Sequence, residues 1–118
     1  MNSSRELGML GEEMALSFLS RLGYRLWERN FRCRFGEVDL IMQDGEILVF
    51  IEVKSRRSTL YGVPQEAVGP VKQARIRRLA EYYLLYKGKE DLQPRFDVIA
   101  VMFNKSGNYT IHHFKDAF

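Results

Sequence analysis

Asp39, Glu52 and Lys54 are the residues of this chain whose types and spacing suit chemistry on a phosphodiester. Twelve residues separate the two acids, and Glu52-Val53-Lys54 puts a carboxylate and an ammonium two positions apart, on one side of a strand. The form is D-x(n)-E-x-K. Its oxygen donors are hard ligands that suit Mg²⁺ or Mn²⁺ rather than zinc. The lysine is a cation able to position an attacking water or stabilise a charged transition state. Alone the pattern is weak, because acidic and basic residues are abundant and n varies. Its weight comes from the elements that carry it.

Gly36 to Lys54 reads as two strands joined at Asp44-Gly45, a strong hairpin-turn signal. With those two residues as the turn, Gln43 faces Glu46, Leu40 faces Val49, Asp39 faces Phe50 and Glu37 faces Glu52. Alternation then puts Glu37, Asp39, Ile41, Leu48, Phe50, Glu52 and Lys54 on one face. Val38, Leu40, Met42, Ile47, Val49, Ile51 and Val53 make an apolar second face, which is core. The first face holds three carboxylates against one lysine. Like charges across a ladder repel, and a half-buried carboxylate is costly unless neutralised. A divalent cation would neutralise it. In this register Asp39 lies diagonal to Glu52, so a bulge or twist is required to bring both to one ion. Without a metal, Glu52 and Lys54 read as an ion-pair cluster.

The chain of 118 residues is long enough for one domain, 1–118, with a core of its own. One cysteine, Cys33, excludes an intramolecular disulfide and a cysteine-based zinc cluster. No apolar run has signal or membrane-spanning length, so the expected compartment is the cytoplasm, with no membrane partner. A net charge of +3 and a pI near 9.1 are compatible with nucleic acid without requiring it.

Arg5 to Leu22 has helical periodicity, with Leu7, Gly11, Met14, Phe18 and Leu22 on one stripe, Ser3 or Ser4 as cap and Gly23 as stop. Glu13 points away from that stripe as a solvated charge. Glu12 sits on its flank, where metal ligation and a salt bridge are both open to it. Tyr24 to Arg34 alternates as a strand with one polar side, where its arginines are placed. Beyond Lys54 a Gly-, Pro- and Ser-containing loop, with a short helical turn around Gln65 to Val68, leads to a helix from Pro70 to about Lys87, closed by Gly88. Ile76, Leu79, Ala80 and Tyr83 form its inward stripe, and Lys72 leads that stripe towards the cleft. Arg56, Arg57, Lys72 and Arg75 are the candidate phosphate contacts. Arg95 to Phe103 reads as a buried strand. Asp97 is expected to pair with an arginine, and Glu37 to lie outside the acid site or pair likewise. Tyr109 to Phe114 makes an edge strand whose His112 and His113 are read as surface residues. The expected order is α-β-β-β-α-β-β, one mixed sheet flanked by helices.

These motifs resemble the bacterial YraN family, which is related to archaeal Holliday-junction resolvases. The resemblance rests on G-x-x-G-E-x-x-A at Gly8 to Ala15, G-E-V-D-L-I at Gly36 to Ile41 and F-I-E-V-K-S-R at Phe50 to Arg56. It extends through A-V-x-x-x-K at Ala67 to Lys72 and R-F-D-V-I at Arg95 to Ile99. The resemblance implies a restriction endonuclease-like, PD-(D/E)xK fold. It places metal acids on Glu12, Asp39 and Glu52, and the catalytic lysine on Lys54. Two departures stand out: Val38 occupies the proline position of the motif name, and no Gln-x-x-x-Tyr element follows Lys54. The activity implied is Mg²⁺- or Mn²⁺-dependent endonuclease cleavage of branched or structured DNA, in repair or recombination. A non-catalytic nucleic-acid-binding protein that keeps the fold is the alternative. One site per chain means that symmetric cleavage of two strands needs a homodimer.

Overall fold

The described residues of the computed structural model are 3–57 and 68–118. Among them the order is α1 (Ser4–Arg21), β1 (Arg25–Cys33), β2 (Gly36–Asp44), β3 (Ile47–Arg57), α2 (Pro70–Lys87), β4 (Gln93–Phe103) and β5 (Tyr109–Phe114). Apart from Val68, the helical turn expected around Gln65 to Val68 lies outside them. The strands line up as β1-β2-β3-β4-β5. The β3–β4 pair is parallel and the other three are antiparallel. A parallel pair cannot close through a tight turn, and α2 supplies the crossover. The fold is mixed α/β, in the element order that the sequence predicts.

The two helices cover opposite faces of the sheet. On one, Leu7, Ala15 and Leu19 of α1 pack against Leu40, Met42, Val49 and Ile51. On the other, Ile76, Leu79, Ala80 and Tyr83 of α2 pack against Ile41, Leu48, Phe50 and Phe96. A sheet covered on both sides needs apolar residues at successive positions, which is why the middle strands read as near-continuous hydrophobic runs. Among the described residues no helix is long and apolar enough to cross a membrane.

Helix α1 starts with a reciprocal capping box between Ser3 and Glu6. Its buried positions are Leu7, Gly11, Ala15 and Leu19; Leu22, expected on the inward stripe, is the C-cap and 55% exposed. The small residues Gly11 and Ala15 at its middle select this line. A Cβ on Gly11 would stand 1.8 Å from Ser55 Oγ, so only glycine lets the helix lie this close to β3. Helix α2 begins at Pro70 and ends at Gly88, whose φ of +63° suits a left-handed cap.

The β2–β3 register differs from the expected one. Asp44 pairs with Ile47 and Leu40 with Ile51, so the turn is Gly45-Glu46, not Asp44-Gly45. Gly45 takes φ +62° at the first turn position, the conformation for which glycine is suited. Every partner thereby moves two residues, which preserves the faces but not the pairs. Counting on from Leu40–Ile51 brings Asp39 level with Glu52, and Glu37 no longer opposes Glu52. An irregularity is present at Asp39 all the same, where the ladder ends. Alternation itself breaks at Asp39: Leu40 and Met42 pack towards α1, whereas Val38 packs with Ile41 on the α2 side.

Strand β4, paired with β3, is fastened by an ionic network around fully buried Asp97. Arg95 donates to both its oxygens at 2.9 Å, His113 Nε2 lies 2.8 Å from Oδ2, and the Asp116 amide donates at 3.0 Å. Arg95 also donates to the Tyr24 hydroxyl at 2.8 Å. The expected pairing of Asp97 with an arginine is met. His113, read as a surface residue, instead has only 9% of its side chain exposed. Buried ionisable groups persist where partners satisfy them, and this one has several.

Candidate functional site

The break in alternation at Asp39 marks where β2 and β3 part. Their ladder ends at Leu40–Ile51, and the next amide, Val53 N–H, donates to Asp39 Oδ2 at 2.7 Å instead of to a β2 carbonyl. A carboxylate is thus inserted at the fork between two strands. Glu52 stands beside it, its side chain only 6% exposed, and Lys72 Nζ lies 2.6 Å from Glu52 Oε2. Lys72 belongs to the first turn of α2 and points inward as its place on the stripe predicts. Half-buried Lys54 lies two residues beyond Glu52, and its charge acts on both Asp39 and Glu52.

Glu12 reaches the same region from α1. It is half-buried and feels the Asp39 charge, which the Asn30 side chain and the Arg29 charge oppose. Asn30 adopts φ +51° within β1, a conformation that asparagine tolerates better than most residues. The flank salt bridge considered for Glu12 falls to its neighbour: Glu13 pairs with Arg29. Glu37 pairs with Arg32, at 2.8 Å.

Electrostatically, the three acids are under strain. Burial pushes the Asp39 carboxyl above its usual range, opposed by the Val53 amide, Lys72 and Lys54. Burial and then the Asp39 charge push Glu52 up, against Lys72 and Lys54. Burial and the Asp39 charge do the same to Glu12. Asp39 is the group that both glutamates feel. Two lysines do not offset what burial and crowding impose, and perturbed carboxyls of this kind mark candidate functional sites. Among the described residues, however, no three His, Cys, Asp or Glu side chains converge as a ready-made metal cage.

Beside the acids runs a groove of about 950 Å³ between the β1–β2 turn and the start of α2. Its lining includes Arg32, Arg34, Lys72 and Arg75, against one acid, Glu37, already held by Arg32. Lys72 belongs to both groove and acid cluster. The structure therefore brings together Glu12, Asp39, Glu52, Lys54 and Lys72, and extends the group with Arg75. Arg56 and Arg57, exposed at the end of β3, are not in the described lining. Sequence reasoning missed Arg32 and Arg34, which it left on the polar side of a strand, and Asn30. Arg32 and Arg34 sit at the β1–β2 turn rather than mid-strand, and their closeness to α2 has no local signature.

A mixed five-stranded sheet between two helices, with acids and lysines at a strand fork and a basic groove beside them, defines the class of this protein. Its family follows from comparison with known proteins. Residues 11–101 match the model described as "Uncharacterised protein family UPF0102", and the chain belongs to that family, in keeping with its YraN-like motifs. The UPF0102 protein of Syntrophus aciditrophicus (strain SB) is 50% identical over 118 residues, covering 100% of this chain and 92% of that one. The UPF0102 protein of Clostridium tetani (strain Massachusetts / E88) is 45% identical over 120 residues, covering 100% and 98%. That of Caldicellulosiruptor saccharolyticus is 44% identical over 117 residues, covering 98% and 99%. These names state a family and not a reaction.

Proposed function

We propose that this protein is a metal-dependent endonuclease of the PD-(D/E)xK kind, acting on structured or branched DNA in the cytoplasm, in repair or recombination. The observation that carries the reading is the pair of buried carboxylates at the strand fork, Asp39 and Glu52, joined through Lys72 to a groove lined by cations. The donor set fits Mg²⁺ or Mn²⁺: hard carboxylate oxygens, with no cysteine among them. Mg²⁺ is commonly held by one or two carboxylates, with water and substrate phosphate completing its shell. Asp39 and Glu52 would hold the ion, with Glu12 as the outlying third acid. When bound, such an ion lowers the pKa of water and offsets charge on a phosphate.

The chain's own residues have distinct tasks in this reading. The Val53 amide fixes one oxygen of Asp39, which orients the carboxylate before any ligand arrives. Lys54 is placed to stabilise the negative charge that develops on the scissile phosphate. Arg75, Arg32 and Arg34 hold the flanking backbone in the groove, with Arg56 and Arg57 at its approach. Cutting both strands of a junction symmetrically requires a homodimer.

The test is cleavage of plasmid, single-stranded and four-way-junction DNA with Mg²⁺ or Mn²⁺. Asp39→Asn and Glu52→Gln should abolish cutting. Lys54→Met should lower the rate by about 10²–10³-fold, the usual effect of losing one group that stabilises transition-state charge. Mn²⁺ should raise the melting temperature of the wild type and not of Asp39→Asn. One observation favours a second reading, a nucleic-acid-binding protein that does not cut: Lys72 already supplies Glu52 with a cation. Binding with no cleavage under either metal, together with no Mn²⁺-dependent thermal shift, would leave that reading alone.

A further inference from the structure

Away from the acids, α2 carries a second chemical pattern on the edge of its exposed side. Arg75, Arg78, Tyr82 and Tyr86 recur at three- and four-residue steps, so they form one line along the helix. The rings of Tyr82 and Tyr86 are parallel within 4°, with centroids 5.9 Å apart. Phe35, from the β1–β2 turn, lies 5.8 Å from Tyr82. The guanidiniums of Arg34 and Arg78 sit 4.8 and 5.2 Å from the Phe35 ring centre. Tyr82 is 38% exposed and Tyr86 65%, far more than packing of α2 on the sheet would leave. The line spans about 16 Å at 1.5 Å per residue. Its near end opens into the basic groove, whose lining includes Arg34, Phe35 and Arg75.

Aromatic faces interleaved with cations match one ligand chemistry closely. A duplex presents phosphates but keeps its base faces stacked inside; a single strand offers both. A second copy of this chain fits less well, because a two-fold contact through this line would set Arg75 and Arg78 against their own counterparts. The one carboxylate that α2 itself carries, that of Glu81, is one position out of step with Tyr82 and turned about 100° from it.

We propose that this line is a stacking track for a single-stranded segment of the nucleic acid held in the groove. It rests on the nucleic-acid reading above and is independent of cleavage. The experiment is fluorescence anisotropy in EDTA, with labelled twelve-nucleotide oligo(dT) and a blunt duplex of the same length as probes. The proteins are the wild type, Tyr82→Ala/Tyr86→Ala and Tyr86→Phe, each checked for unchanged melting temperature. The double variant should lose at least tenfold in oligo(dT) affinity, since loss of one stacking ring commonly costs about five- to a hundredfold. Its duplex affinity should stay within twofold, and Tyr86→Phe should bind like the wild type. Undiminished oligo(dT) binding by the double variant overturns the proposal. So does an equal loss on both probes, no oligo(dT) binding by the wild type, or a wild-type dimer that this variant dissociates with no loss of oligo(dT) affinity. Metal-dependent cleavage that persists while oligo(dT) binding fails removes the track alone. Oligo(dT) binding without cleavage removes the enzyme alone.

Discussion

The sheet holds two clusters of buried carboxylates in opposite conditions, with Glu52 and Asp97 on the neighbouring strands β3 and β4. Asp97 is fully buried and has a donor on nearly every side: two nitrogens of Arg95, a ring nitrogen of His113 and the Asp116 amide. Burial alone would push its carboxyl up, but His113, Arg95 and that amide outweigh burial and hold it at about 2. Asp39 and Glu52 are also withdrawn from water, yet burial prevails over Lys72, Lys54 and the Val53 amide, and both carboxyls are pushed up. The first cluster is a latch that joins β4 to Tyr24 before β1, Asp44 of β2, His113 of β5 and the C-terminal residues. In the second, burial and crowding disfavour the charged carboxylates, which is what the proposed cation site would relieve.

Four measurements would break or sharpen that contrast. The largest effect is expected for Asp97→Asn, which leaves Arg95 short of its counter-charge; urea unfolding at pH 7 should report a loss of about 3–5 kcal/mol. Because the folded-state value of Asp97 lies below its ordinary 3.8, its contribution is present above that value and is lost as pH falls through 3.8 towards 2. The shift corresponds to on the order of 2 kcal/mol, so the gap between wild type and variant should narrow by that much in acid.

Gly11→Ala comes next, at about 1–3 kcal/mol, since its methyl would collide with Ser55 Oγ and push α1, with Glu12, off the sheet. Ser55 Oγ is buried without a hydrogen-bond partner among the described residues. Adding Ser55→Ala should therefore recover part of the loss, and a double-mutant cycle measures how much.

Asp39→Asn should go the other way, raising stability at pH 7 by roughly 0.5–2 kcal/mol while removing cleavage. The amide oxygen can still accept from Val53, and the crowding charge is gone. For a carboxyl raised in the folded state, the penalty is fully present above that raised value and vanishes below the unfolded 3.8. The advantage should therefore disappear in acid, the reverse of the Asp97 result. Destabilisation by Asp39→Asn at pH 7 would dissolve the contrast. The smallest effect belongs to Arg32→Ala, whose pair with Glu37 is well exposed; stability should stay within about 0.5 kcal/mol. Its DNA affinity should nevertheless fall, with a shallower salt dependence.

Much of this molecule is legible in the sequence because it is set by local periodicity and turn chemistry. Ser3 and Glu6 announce the start of α1, Pro70 and Gly88 bracket α2, and the apolar runs of β3 and β4 require a sheet covered on both faces. The two-residue spacing of Glu52 and Lys54 put both on the α2 side of β3. Helical arithmetic likewise aimed Lys72 at the cleft, where it meets Glu52. The Asp-Gly pair located the hairpin but not its register, because a turn one residue further along presents the same glycine and preserves side-chain parity. Only the tertiary structure decided that register, and with it the meeting of Asp39 and Glu52. It also withdrew His113 to Asp97, gave Arg29 to Glu13 instead of Glu12, and brought Arg32 and Arg34 against the first turn of α2. Each of these depends on how far apart two elements lie and which way they tilt. Those quantities are fixed by packing between distant residues, such as Gly11 on Ser55, and leave no mark in the periodicity of either element.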